Sequence, residues 1–445
     1  MKKFASRKKL EKFQLEKLKW TVRQAKKSPY YSKRLKTIKI SQISDIVKLP
    51  ITTKDDLRSN SPFGLLSVSH NKLSEYHESF GTTGVPVSSW LTKSDFDNYI
   101  DQVNQCGVEF NEKDVVLVRF PYAISVPAHI VHAAARRKGA CVIPASSRTF
   151  ISPHTRVIKL MQKLKVTIFA SLPFEAILLY ETARLLGYDP KKDFKTLRAI
   201  CVAGELLTQR RKEIIERLWN CKVYNLYGTT ETGNLATTCK KGSLHISSDH
   251  FFFEVLNPKT LEPLPLGETG ILVVTTLTRE ATPLIRYNVG DMGRLLPSDV
   301  CSCKSINPVL QHFGRIDEAI CYGQRFLPLG VLEDEILRFS ERLKSNFWII
   351  ILLKDRILVK IESENPKVKI DLKNPLFELQ SEIGVPISFE LVPKGGLFAR
   401  ERLLEVNPVI KPKYMTDWRS DSSHPERLDR LMVGYDTFVE TKDRL

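Results

Sequence analysis

The spacing of apolar positions divides the chain into distinct textures. Over residues 8–36, Leu15, Leu18 and Val22 recur at helical spacing with Lys and Arg between them, which predicts a one-faced helix ending near Ser28-Pro29. Residues 48–63 are rich in Thr, Asp, Asn and Pro and read as loop and turn. From about 94 to 215, short apolar runs alternate with helical ones. Strands are expected at 115–118, 140–144, 166–170 and 199–202, and helices near 127–137, 153–164, 173–186 and 208–219. Apolar strands alternating with helices imply an α/β fold with a mainly parallel, buried sheet.

From 244 to 296 the pattern becomes short strands broken at Asn257-Pro258 and Leu266-Gly267. Val255, 271–275 and 284–286 are expected to form an antiparallel subdomain. After Gly314, a helix at 330–343 and strands at 347–353 and 356–361 predict a small α+β domain. The expected division is therefore a large domain, 1–314, and a small mobile one, 315–445. The longest apolar run, 347–353, is far short of the roughly 20 residues of a membrane span. No apolar segment near the N-terminus resembles an export signal, so a cytoplasmic location is expected.

Charge changes this picture in one place. Residues 1–40 hold fifteen Lys or Arg against two Glu, so +13 of the net +18 sits there and the other 405 residues carry about +5. With 42% hydrophobic and 27% charged residues the body is ordinary globular protein. The basic arm fits a solvated helix face first and contact with an anionic phospholipid surface second; nucleic acid is not expected. Eight cysteines are too sparse for a disulfide scaffold, and Cys106, Cys141, Cys201 and Cys221 sit in apolar contexts as small core residues.

Two segments carry candidate chemistry. Ser79-Phe80-Gly81-Thr82-Thr83-Gly84-Val85-Pro86 puts glycines and hydroxyls in one turn, a composition that suits an anion nest or a plain surface hairpin. Asn225-Leu226-Tyr227-Gly228-Thr229-Thr230-Glu231-Thr232-Gly233 joins an aromatic face, a permissive Gly, hydroxyls and a carboxylate. Such a set can stack on adenine and reach a phosphate-bound Mg²⁺. Cys239, His245, Cys301 and Cys303 form a third constellation, either a tetrahedral Cys₃His zinc site or free thiols with a surface His.

The order SFGTTG at 79–84, AGE at 203–205, YGTTE at 227–231, TPLIRYNVGD at 282–291 and GRIDE at 314–318 resembles the adenylate-forming enzymes. LPITTKDDLRSNSPFGL at 49–65 and TTLTREATPLIRY at 275–287 resemble, within them, the phenylacetate–CoA ligase branch. The resemblance runs from about residue 10 to 340. It implies ATP-dependent activation of a carboxylic acid as an acyl adenylate, then transfer to a thiol, with coenzyme A as the expected acceptor. A carrier-protein thiol or an amine is the alternative acceptor, and the resemblance leaves room for a homodimer.

Carried onto this chain, the resemblance has Ser79, Gly81, Thr82, Thr83 and Gly84 cradle the triphosphate. Ala203, Gly204, Glu205, Tyr227, Gly228 and Thr229 would line the adenine site. Thr230 and Glu231 would address phosphate and Mg²⁺, Asp291 would accept the ribose hydroxyls, and Arg315 would contact ribose or phosphate. Asp317 would be the hinge of the small domain. Tyr122, Ala123, Ile124, Ser125 and Leu226, beside Phe120 and Pro121, would line a pocket for an aromatic or medium-chain acid. A Cys-x-Cys with an upstream Cys and His favours structural zinc at Cys239, His245, Cys301 and Cys303.

The chain departs from the family pattern twice. Val85 stands where the phosphate loop usually has Lys. Leu397, in Gly396-Leu397-Phe398-Ala399-Arg400, stands where a lysine bridges the carboxylate and the α-phosphate, with Lys394 as the nearby substitute. The same departures support a rival reading, a nucleotide-binding pseudoenzyme or scaffold.

Overall fold

The computed structural model describes residues 4, 6–79, 86–368, 376–405 and 412–420. Its centre is one sheet of eleven strands. From one edge, Cys141–Pro144, Val115–Val118, Ile168–Ser171, Ala199–Val202 and the first half of Lys222–Thr229 run parallel. Then Gly233–Thr238, Leu244–Ile246, Val309–Arg315, Tyr287–Leu296, Gly270–Thr276 and Phe251–Leu256 continue antiparallel. The expected antiparallel subdomain is thus the second half of a single sheet.

The change of sense falls within one strand. Val223 and Asn225 pair parallel with Ile200 and Val202, whereas Leu226 and Tyr227 pair antiparallel with Thr237 and Ala236. Ligands in open α/β sheets gather outside the carboxyl ends of strands, where connections diverge. Here that position coincides with the YGTTE turn.

Several expected elements shift. The long N-terminal helix breaks at residues 26–28 into Arg7–Ala25 and Pro29–Arg34, because Ser28 caps the second helix by accepting from Tyr31 N. Residues 48–63 are not all loop. Thr53 and Asp56 form a capping box that starts the helix Lys54–Ser59. Residues 284–286 are not a strand: Arg286 has φ +41°, and its buried guanidinium pairs with Glu254 at 2.9 Å and donates to the carbonyls of Val47 and Leu49. The helix expected at 330–343 divides into Leu329–Leu337 and Ser340–Leu343. Cys141 is exposed on the edge strand, not in the core.

The N-terminal helix buries Leu10, Leu18 and Val22, and three of its polar side chains are docked. Gln14, Thr21 and Gln24 donate to the carbonyls of Ser248, Thr276 and Glu280 at 2.9 Å each. Beyond 315, a four-stranded sheet of Ile387–Pro393, Ile357–Ser363, Trp348–Leu352 and Met415–Asp417 is packed on the helices of the parallel half. One apolar core runs from Phe169 and Trp219 through Trp348 to Phe398. Among the described residues no helix is long and apolar enough to cross a membrane.

Candidate active site and metal centre

A cleft opens at the carboxyl ends of the parallel strands, lined on one side by Ala203, Gly204, Glu205, Leu226, Tyr227, Gly228, Thr229, Thr230 and Glu231. Asp291 and Arg315 close the same end. These residues are brought together from four separated motifs. Gly228 must be glycine, since a Cβ there would lie 2.0 Å from the Gly233 carbonyl oxygen. Thr229 and Thr232 share hydroxyl hydrogen bonds that close the turn carrying Glu231.

Asp291 is 4% exposed and heavily engaged. It accepts from the Tyr227 hydroxyl at 2.6 Å and from Arg315 Nη1 at 3.3 Å, with His312 Nε2 3.7 Å away. Burial pushes its carboxyl up, but His312, Arg315 and Tyr227 outweigh burial and hold it below the ordinary carboxylate range. Asp317, the expected hinge, is exposed and pairs with Arg315 Nε at 3.3 Å.

Glu231 behaves differently. It is also 4% exposed, yet its Oε1 has no hydrogen-bond partner among the described residues. Its nearest cation is Lys54 Nζ at 3.6 Å. Glu205 lines the cleft, but its carboxylate is committed elsewhere: Arg211 Nη1 and the Tyr414 hydroxyl both donate to it at 3.1 Å, and Phe174 N donates at 3.0 Å. Glu205 therefore shapes the wall rather than offering a free acceptor.

Gly81, Thr82, Thr83 and Gly84 lie outside the described residues. Ser79 lines the cleft, and its hydroxyl accepts from Val87 N at 2.9 Å, tying together the two ends of that segment. At the acyl end the expectation is only partly met. Phe120, Pro121, Ser125 and Leu226 line the cleft, joined by Val126, Ile130, Val131 and Leu172. Tyr122, Ala123 and Ile124 are not among the lining residues. Tyr122 turns to hydrogen-bond His132 at 3.0 Å, and His129 meets its carbonyl at 2.9 Å. Ile124 is 56% exposed with φ +60°, and its carbonyl oxygen accepts from Glu78 N at 3.2 Å. The loop 122–124 braces a hairpin and does not line the cleft.

Sequence reasoning missed four of the five basic cleft residues, Lys54, Arg58, Arg148 and His312. A signal for the first two was present: Thr53-x-x-Asp56 caps a helix, and Lys54 and Arg58 one turn apart share its face.

Comparison with known proteins agrees with this geometry. Residues 80–277 match the family model for AMP-binding enzyme. The chain is 30% identical over 383 residues to a phenylacetate–coenzyme A ligase of Aromatoleum evansii, covering 82% of this chain and 84% of that one. It is equally 30% identical to the phenylacetate–coenzyme A ligase of Escherichia coli (strain K12), over 84% and 85% of the two chains. This chain belongs to the phenylacetate–CoA ligase branch of the adenylate-forming enzymes. Such an enzyme is an AMP-forming acid–thiol ligase. Its fold matches a solved 2-hydroxyisobutyryl-CoA ligase in complex with an acyl adenylate, with TM-score 0.81 at 19% identity over 99% of this chain and 93% of that one.

In this ligase Cys239, His245, Cys301 and Cys303 converge, with one ligand atom from each within 4.8 Å of the others. Cys239 Sγ lies 3.7 Å from Cys301 Sγ, and Cys303 Sγ lies 3.2 Å from His245 Nε2. The other ring nitrogen of His245 meets the Asn307 carbonyl at 2.8 Å, which orients Nε2 toward the sulfurs. Three sulfurs and an imidazole whose other nitrogen is held by a backbone carbonyl fit a tetrahedral structural zinc.

The C-terminal lysine position tells the opposite story. Leu397 is 2% exposed, and its backbone N–H donates to the buried Glu362 at 2.9 Å. Phe398 stacks on Phe347 with ring centroids 5.4 Å apart. Lys394 is not among the lining residues of the cleft; its Nζ is 3.6 Å from Glu364 at the surface. The structure thus does not bring the expected substitute to the reacting groups.

Proposed function

We propose that this ligase binds ATP along the Tyr227–Asp291 end of the cleft and activates a carboxylic acid as an acyl adenylate, then passes the acyl group to coenzyme A. The observation that carries the reading is the buried Oε1 of Glu231 facing the cleft, which has no hydrogen bond and only a 3.6 Å ion pair to Lys54 Nζ. A buried carboxylate oxygen left without a hydrogen bond is costly, so this oxygen has acceptor capacity to offer a cationic ligand group. Mg²⁺ bound at Glu231 and Thr230 would neutralise charge on the triphosphate. Asp291 offers acceptor oxygens to a vicinal diol, and Arg315 a cation to ribose or phosphate. Lys54 and Arg58 supply the positive charge that Val85 and Leu397 do not.

The apolar wall of Phe120, Val126, Ile130, Val131 and Leu172 favours an acid with an aromatic or medium-length carbon frame. Zinc at Cys239, His245, Cys301 and Cys303 would tie the Leu244–Ile246 strand to the 298–308 loop, a structural role. Residues 315–445 would turn about Asp317 between the two half-reactions. Pyrophosphate release across a panel of acids, followed by thioester formation on adding coenzyme A, tests the proposal. Release with one or more acids that depends on Glu231 supports it; ATP binding without release from any acid rejects it.

A further inference from the structure

The outer face of the N-terminal helix Arg7–Ala25 is set by what the helix buries. Leu10, Leu18, Val22 and Ala25 enter the core, and Gln14, Thr21 and Gln24 are tied to carbonyls of the body, so the rotation of the helix is fixed. At about 3.6 residues per turn, Lys8, Lys9, Lys12, Glu16, Lys19 and Arg23 then share the opposite face, an arc of about 100° that runs about 22 Å from Lys8 to Arg23. All are exposed except Lys19, which is partly so. Five cations stand there against one acid.

This face works against the helix that carries it. Lys8 and Lys12, and again Lys19 and Arg23, are like charges four residues apart, a repulsive spacing. The first turn holds Arg7, Lys8 and Lys9 and no acidic residue, so cations crowd the positive end of the helix dipole. A helix face built only for solvation gains from alternating signs. Among the described residues the one ion pair along this helix is Arg7 with Glu11, 3.4 Å apart. An arrangement that costs its own helix stability is favoured when an anion outside the chain covers it.

The surroundings say which anion. Trp20, partly exposed, borders the cationic face, and Lys17 Nζ lies 5.5 Å from its ring. A tryptophan beside lysines suits the headgroup level of a bilayer, where both find partners. Lys26 Nζ donates to the Ile38 carbonyl at 3.3 Å, which keeps the exposed Lys36 and Lys39 near the end of the helix. The face holds no Asn, Gln, Ser or Thr to read base edges. With about +5 on the other 405 residues, the charge is concentrated on this side and orients the whole chain in the field of an anionic surface.

We infer that this face docks the enzyme on an anionic phospholipid bilayer, with the helix axis in the membrane plane. The contact is electrostatic and peripheral, because the apolar side of the helix is already buried in the core. It does not depend on the ligase reading. An acid with an apolar frame partitions into the same bilayer, so docking raises its concentration near the enzyme.

Co-sedimentation tests this. Phosphatidylcholine vesicles with about 30% phosphatidylserine should retain the full chain at about 50 mM salt and release it at about 500 mM, and phosphatidylcholine alone should retain none. Each Lys or Arg at such a surface contributes about fivefold in partitioning, so Lys8→Gln, Lys12→Gln, Lys19→Gln and Arg23→Gln together should weaken binding by about 10²-fold or more. Lys8→Arg, Lys12→Arg and Lys19→Arg together should keep it. The four-Gln variant should melt with the wild type, since all four side chains reach solvent and Gln is a good helix former. Fluorescence quenching by lipid brominated near the headgroup reads the contact in the unaltered chain, and Trp20→Phe should remove most of it. No binding to anionic vesicles, equal binding to phosphatidylcholine alone, binding that the four Gln substitutions leave unchanged, or quenching that Trp20→Phe leaves unchanged overturns the proposal. So does tighter binding to duplex DNA or RNA than to the vesicles at the same salt, which would assign the face to nucleic acid.

Discussion

Glu231 and Glu362 are both buried glutamates, yet they do opposite work. Glu362 Oε1 accepts from the backbone N–H groups of Leu397 and Phe398 at 2.9 Å, and its Oε2 accepts from Arg400 Nη2 at 2.5 Å. Arg400 in turn covers the Phe347 ring at 3.7 Å and reaches Glu181 at 3.5 Å. Glu231 keeps one oxygen without a hydrogen bond and faces a lysine across a gap. Burial and residue type are alike; satisfaction is not. A carboxylate whose acceptor sites are filled by its own chain is part of the architecture, and one left short in a cleft is waiting for a ligand.

Breaking each carboxylate should therefore give distinct phenotypes. Glu362→Ala removes one partner of a sealed ion pair and strands Arg400, so urea unfolding should show a loss of about 3–5 kcal/mol. Glu231→Gln should instead retain wild-type unfolding within about 1 kcal/mol while slowing pyrophosphate release by about 10²–10³-fold, and Asp291→Asn should slow release as much. If Glu231→Gln unfolds the chain, or Glu362→Ala only slows the reaction, the distinction drawn here is wrong. Smaller again is the effect of metal removal. Chelation should lower the melting temperature by several degrees, as loss of about 2 kcal/mol would in a chain of this size, and elemental analysis should find one zinc per chain. Absence of zinc together with an unchanged melting curve would reject the site.

The same contrast explains what was legible in the sequence. The parallel strands were, because buried runs such as Val115–Val118 alternate with helices. The convergence of the AGE, YGTTE, TPLIRYNVGD and GRIDE motifs on one cleft was, because each sits where the backbone has its own demand, as at Gly228. The ligand-facing status of Glu231 against Glu205 was not. Both are motif glutamates, and only the approach of Arg211, Tyr414 and Phe174 N from distant segments shows that Glu205 is already satisfied. Lys54 was hidden because a polar stretch read as loop is a capped helix. Ile124 misled in the other direction: an apolar residue after a cleft strand suggested a pocket wall, but its positive φ turns it to the surface.

The smallest expected effect concerns Lys394, and it bears most on how this chain works without the usual C-terminal lysine. Its side chain is 46% exposed and its partner Glu364 is equally exposed, a pairing of the kind that contributes about 0–1 kcal/mol. The backbone around it is fixed, since Lys394 N donates to the Ser363 carbonyl at 3.1 Å while Leu397, three residues on, is held in the core. Moving 394 into the cleft would require the Leu397–Phe398 seat against Glu362 and Phe347 to travel with it or to open. Lys54 and Arg58, by contrast, already line the cleft. Lys394→Ala should accordingly leave pyrophosphate release within about twofold, whereas Lys54→Ala should lower it about 10-fold or more through loss of a cation at the phosphates. Single-turnover adenylation by the two variants reads this directly. A large loss in Lys394→Ala with a small one in Lys54→Ala would mean that the whole small domain turns to deliver the 394 side chain, and that the arrangement seen here is the one that follows, rather than performs, adenylation.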